Sequence, residues 1–122
     1  MFLRSYLFTV AWVLVASAVG QIFLAGVIAS GSVWGLAAGW QREIGFFDVA
    51  MAVVTFRAFR SNDRKFQRNV ALALIILTAL IGTNHLIALV SEPHAWVHVV
   101  FTPLNYVISV VGGAALYDGR AD

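Results

Sequence analysis

The chain has 122 residues, 61% of them hydrophobic and 11% charged, with a mean hydropathy of +0.85. A soluble domain carries about 25% charged residues, so this composition excludes an ordinary water-soluble core and points to lipid as the solvent. The absence of cysteine excludes disulfides, thiolate metal sites and thiol redox chemistry, and a net charge of +2 on few, localised basic residues excludes a surface that tracks nucleic acid.

The first apolar segment runs over 5–30. Arg4 and the run Ala16-Ser17-Ala18 imitate a cleaved signal peptide, but the uncharged stretch continues from Ser5 to Gln41, whereas a signal core spans only about 7–15 residues. A retained membrane helix is the expectation, with Gly20 and Gly26 as points of close helix approach. The connection from Gly31 to Gly39 stays apolar and is expected to form a short surface helix or a shallow re-entrant turn, with Trp34 and Trp40 as interface anchors. A second segment over 40–59 carries Glu43 and Asp48. The basic loop after it holds Arg57, Arg60, Arg64, Lys65 and Arg68, five of the eight Lys/Arg residues. The third segment covers 69–90, and Ser91-Glu92-Pro93-His94 makes a turn because proline cannot continue the helix. The fourth covers 95–117, with Pro103 near its start and Gly112-Gly113 as a further small surface for helix packing.

The predicted fold is all-α: an integral membrane four-helix up-and-down bundle forming one domain over 1–122, with an apolar outer loop between helices 1 and 2. The basic loop belongs in the cytoplasm by the positive-inside rule, which makes the protein multi-pass in the cell membrane with cytoplasmic N- and C-termini.

Ionisable groups at membrane depth are costly and persist where they face a protein interior or a wet cavity. Measured at ~1.5 Å per residue from the cytoplasmic end of each helix, Glu43 sits roughly 21 Å up, His85 and Gln21 roughly 24 Å, Thr102 roughly 22 Å and Asn105 roughly 18 Å. Asn84 lies just below His85. Each helix thus brings a polar group to one layer in the outer half of a core about 30 Å thick. Asp48 lies deeper, at roughly 14 Å, and is about 140° around its helix from Glu43, on a face shared with Ala52 and Thr55. Thr102, Asn105 and Ser109 form one polar stripe, which His98 extends outward.

These residues admit several chemistries. Glu43 and His85 are candidates for proton handling or for gripping a polar head group; equally, the carboxylate can hydrogen-bond the imidazole together with Arg42 or Gln21 and simply lock two helices. Asp48 is expected to pair with Asn84 or Asn105, or to be protonated and donate a hydrogen bond. His94 and His98, four apart, are weak candidates for a zinc site, and His85 with His98 for haem. No cofactor is assignable.

The run Trp40-Gln41-Arg42-Glu43-Ile44-Gly45-Phe46, with Gly82-Thr83-Asn84-His85 one helix later and a proline-bearing fourth helix, resembles a family of small uncharacterised bacterial four-helix membrane proteins. In size and helix count that family is similar to the DoxX group. The resemblance spans 40–116 and implies the bacterial inner membrane, with Glu43 and His85 as a matched pair. The DoxX association with quinone-linked or redox-partner complexes carries no catalytic residue over to this chain. The functional expectation is a non-enzymatic accessory subunit or a binder of a lipid-like or quinone-like molecule at the outer polar layer. The alternative is a DoxX-like redox subunit using Glu43 and His85 for proton transfer. Expected partners are membrane lipids and a second copy or a larger membrane complex, not nucleic acid.

Overall fold

The computed structural model describes residues 1–118. It is all helical: α1 (Phe2–Phe23), α2 (Ala25–Ser30), α3 (Ala38–Arg60), α4 (Arg64–Ser91) and α5 (Trp96–Asp118), with no strand among the described residues. Three of these, α1, α4 and α5, are long and apolar enough to cross a membrane. The 23 residues of α3 match α5 in length, but its five charged residues, Arg42, Glu43, Asp48, Arg57 and Arg60, lower its hydropathy.

The single first segment expected over 5–30 is divided. Leu24, at φ −117° and ψ 24°, leaves helical geometry and separates α1 from the one-and-a-half-turn α2. The short surface helix expected after Gly31 therefore lies before it, and 31–37 runs as a loop. The start of α4 also differs from the expected residue 69. Asp63 accepts from the amides of Lys65 and Phe66 at 2.9 and 3.1 Å, satisfying donors that have no intrahelical partner. That cap draws Arg64 to Arg68 out of the basic loop and into the helix, leaving only Ser61, Asn62 and Asp63 as the link.

Lipid is as apolar as leucine, so these helices are held by close packing and polar contacts rather than by a hydrophobic drive. α1 packs mainly on α3, and α4 on α5. Gly45 lets α1 and α3 approach: a Cβ there would lie 2.6 Å from Ile22 Cγ1 and 3.3 Å from the Ala18 carbonyl. Between α4 and α5, Thr78 Oγ1 and Ser109 Oγ are 2.7 Å apart and Ser109 donates to the Ile75 carbonyl at 2.9 Å. Gly112 admits Tyr6 and Ile75 side by side.

The two ends of the molecule differ. Leu3, Tyr6, Leu7, Val10 and Leu14 of α1 form the main core with Ala52 and Ala58 of α3, Val70, Ala71 and Leu74 of α4 and Ala115 of α5. This end carries the basic residues, and Arg4 clamps it by donating to the Ser61 carbonyl and Asn62 Oδ1 at 2.8 and 2.9 Å. Toward the opposite end buried aliphatic residues give way to polar ones, and the helices part around a cavity.

Candidate functional site

The cavity has a volume of about 720 Å³ and is walled by α1, α3, α4 and α5, with 32–37 over its far end. It brings together Gln21 of α1, Glu43 and Asp48 of α3, Asn84 and His85 of α4, and Asn105 of α5. Thr102 is buried beside it without reaching the lining, and its Oγ1 has no partner. Asn105 donates back to the Phe101 carbonyl at 2.8 Å, which leaves its amide oxygen and one N–H to offer. The exposed lining residues are Trp40, Glu43, Ile44 and Phe47 of α3, Ile81 and Asn84 of α4, Leu104 of α5, and Trp34, Gly35 and Ala37 of the roof. Six of the ten thus lie along the seam between α3 and α4, which pack only lightly on one another.

The two carboxylates of α3 occupy different stations on the cavity. Asp48 is buried with Ala52 and Thr55 on one helical face. Its Oδ2 accepts from the Ser17 hydroxyl at 2.6 Å, so its partner comes from α1 and not from Asn84 or Asn105. Glu43, displaced around the helix with Phe47, stands at the exposed seam. It makes no hydrogen bond to His85, Arg42 or Gln21.

His85 is paired instead with His98, the imidazole Nδ1 atoms lying 2.9 Å apart. His98 is fully buried, and its Nε2 accepts from the backbone N–H of Val33 at 3.2 Å. A backbone amide can only donate, so His98 Nε2 carries a lone pair and, in the neutral ring, Nδ1 carries the hydrogen. That hydrogen is donated to His85 Nδ1, and the neutral His85 ring then holds its own hydrogen on Nε2. The Ser32 hydroxyl, 3.3 Å from His98 Nε2, accepts from the Trp34 amide at 3.1 Å. The Trp34 indole lies against both imidazoles, with ring centroids 4.9 and 4.6 Å away, and Phe101 stacks on His85 at 5.6 Å. One backbone donor thus fixes two tautomers in series, leaving His85 as a hydrogen-bond donor on the cavity wall.

No family model matches this chain, and no curated protein or solved structure shows similarity to it.

The function must therefore be argued from the cavity's own chemistry. Its roof is tied down at three points: the Gly31 carbonyl accepts from the Val97 amide at 3.0 Å, Val33 binds His98, and Ser32 binds the same ring. Gly31 packs against the Trp96 indole so closely that a Cβ would overlap it. Gly35 turns the chain at φ +68°, a conformation L side chains disfavour. Trp34, expected as an interface anchor, packs against both imidazoles with 52% of its surface exposed.

Metal and haem chemistry find no built site. Among the described residues no group of three or more His, Cys, Asp or Glu side chains is placed to hold a metal ion. His94 is exposed in the turn before α5 and shares no helical face with His98. His85 and His98 bond directly to each other, which leaves no room for a haem iron between them.

The sequence did not single out Ser17 or Gln41, and it joined His85 and His98 only as haem ligands, not as a directly bonded pair. Ser17 and Gln41 are uncharged and raise no depth alarm. Equidistance from the turn at 92–95 gives no signal for the pair, because His85 lies seven residues before it and His98 three after it.

Proposed function

We propose that this chain is a four-span protein of the inner membrane, an up-and-down bundle with cytoplasmic N- and C-termini, that binds an amphipathic lipid-like or quinone-like molecule by its head group. The observation that carries the proposal is the cavity of about 720 Å³ itself, which gathers polar side chains from α1, α3, α4 and α5 within an otherwise apolar lining. Sites for small molecules are concave, mostly apolar and of about 300–1,000 Å³, with a few polar groups to fix orientation. The exposed seam between α3 and α4 suits an occupant that arrives dissolved in lipid. The cytoplasmic placement of both termini rests on the basic residues at the Arg4 end. Gly26 and Gly113, which have nothing within 4 Å, offer small surfaces to a second copy or a larger complex.

A second reading, a DoxX-like redox subunit passing protons through Glu43 and His85, draws on the presence of both groups on one cavity. The imidazole chain limits it. If His85 gave up its Nε2 hydrogen, the replacement would come from His98, whose other nitrogen is occupied by a donor that cannot reverse. Binding is the preferred function.

The test is occupancy. Protein purified in mild detergent should retain an apolar molecule in near-stoichiometric amount by native mass spectrometry, and Leu77→Trp, which fills the cavity, should lose it while remaining monodisperse. Equal retention by the filled variant would end the proposal. Orientation is read separately: the chain lacks cysteine, so Leu36→Cys should react with an impermeant maleimide from outside intact cells and Asn62→Cys should not.

A further inference from the structure

The roof leaves a hydrogen on His85 that nothing in the chain accepts. The Val33 amide donates to His98 Nε2 at 3.2 Å, and His98 Nδ1 donates to His85 Nδ1 at 2.9 Å. The neutral His85 ring therefore carries its hydrogen on Nε2. That N–H has no partner among the described residues, and it is not sealed in. The enclosed side-chain atoms without a partner are Tyr6 Oη, Thr102 Oγ1 and the Gln21 and Gln41 oxygens, and His85 Nε2 is not among them. Its residue stands half-buried on the cavity wall.

A tie between α4 and α5 would need only the bond between the two Nδ1 atoms, with either ring as donor. The fixed direction goes beyond a tie. Val33 gives the bond one polarity, and two rings from outside α3 and α4 hold the imidazole in place: Phe101 is stacked on it at 5.6 Å, and Trp34 lies 4.9 Å away.

His85 thus offers a hydrogen and no free lone pair, so it selects an acceptor. A phosphate or carboxylate would enter a cavity lined by Asp48 and Glu43 and by no lysine or arginine, where an uncompensated charge is strongly disfavoured. An ammonium has no lone pair to accept with, and a hydroxyl brings a hydrogen that His85 cannot take. A neutral carbonyl oxygen meets the requirement. Resting on the binding function above, we propose that the occupant carries a neutral carbonyl group on an apolar body, and that its oxygen accepts the Nε2 hydrogen of His85.

The test uses the full chain in zwitterionic lipid nanodiscs. Benzophenone is the carbonyl probe, and diphenylmethane, the same two rings without the oxygen, is its control. Equilibrium dialysis reads the excess of each over protein-free nanodiscs, as a mole fraction of the lipid. Benzophenone should bind saturably and at least about fivefold more tightly than diphenylmethane, because the hydrocarbon leaves the N–H unpaired. His85→Phe should bring benzophenone down to the affinity of diphenylmethane and leave the hydrocarbon within about twofold of its parent value; a merely structural role would lower both. The carbon-13 resonance of carbonyl-labelled benzophenone should move downfield from its position in protein-free nanodiscs, and should not do so with His85→Phe. Equal affinity for the two probes, unchanged benzophenone affinity in monodisperse His85→Phe, or an unshifted resonance overturns the carbonyl assignment. Saturable binding of neither probe overturns it as well, and in each case retention of a native molecule in the occupancy test decides the binding function separately. If His85→Phe does not fold, the resonance in the parent protein carries the test.

Discussion

His98→Leu is the substitution that most directly questions the chain of bonds under the roof. Leucine is close to imidazole in bulk, so the packing term is small, but three polar contacts vanish: Val33 N–H, Ser32 Oγ and His85 Nδ1. At about 0.5–1.5 kcal/mol each, the loss is roughly 2–4 kcal/mol. It falls on the loop at 31–37 and not on the core at the opposite end. Amide hydrogen exchange in nanodiscs should report Val33 and Trp34 exchanging roughly 30- to 700-fold faster, with the amides of 70–74 unchanged. His85→Ala removes only the outer partner and keeps the Val33 bond, so its effect at Val33 should stay below about tenfold. If His98→Leu leaves Val33 as protected as in the parent, or if His85→Ala matches it, the tautomer assignment and the role of His98 as the roof's anchor are both wrong.

Gly31→Ala should displace the Trp96 indole and loosen the bond to Val97, lowering stability by about 1–3 kcal/mol; a denaturation titration in SDS is the measure, and a neutral result refutes the close packing. Gly112→Ala places a Cβ 2.6 Å from both Ile75 Cγ1 and Tyr6 Oη, so a similar loss of about 1–3 kcal/mol is expected, whereas Gly113→Ala, with open space beside it, should be silent in the same titration. Asp63→Ala removes the cap of α4 and should cost about 1 kcal/mol, with helical content by circular dichroism falling only slightly.

The fold was legible where composition alone decides. Residues 40–59 and 95–117 are apolar stretches bounded by charge, glycine or proline, and α3 and α5 end within two residues of those limits. The break at Leu24 was not legible, because Leu24 is apolar and the glycines on either side of it, Gly20 and Gly26, read as points of close helix approach and not as breakers. The early start of α4 was available in principle, since Asp63 is a favoured cap, but the charge run behind it reads more naturally as a loop. The grouping of polar residues was legible through depth: rise per residue places Gln21, Glu43, Asn84, His85 and Asn105 near one height, and all five line the cavity, which also reaches down to Val10 and Leu74. Pairing was not, because partners depend on rotation about the helix axis and on a loop whose fold no periodicity describes. Asp48 therefore found Ser17, and His85 found His98.

The seam between α3 and α4 has a consequence for how any affinity here must be expressed. Entry between α3 and α4 disturbs none of the Gly31, Ser32 and Val33 contacts that hold the roof. A guest of the kind proposed would be sampled as a solute of the bilayer, where an oily molecule too scarce to detect in water can be abundant. The meaningful dissociation constant is a mole fraction in lipid, and an apparent molar value will drift with the amount of membrane in the tube.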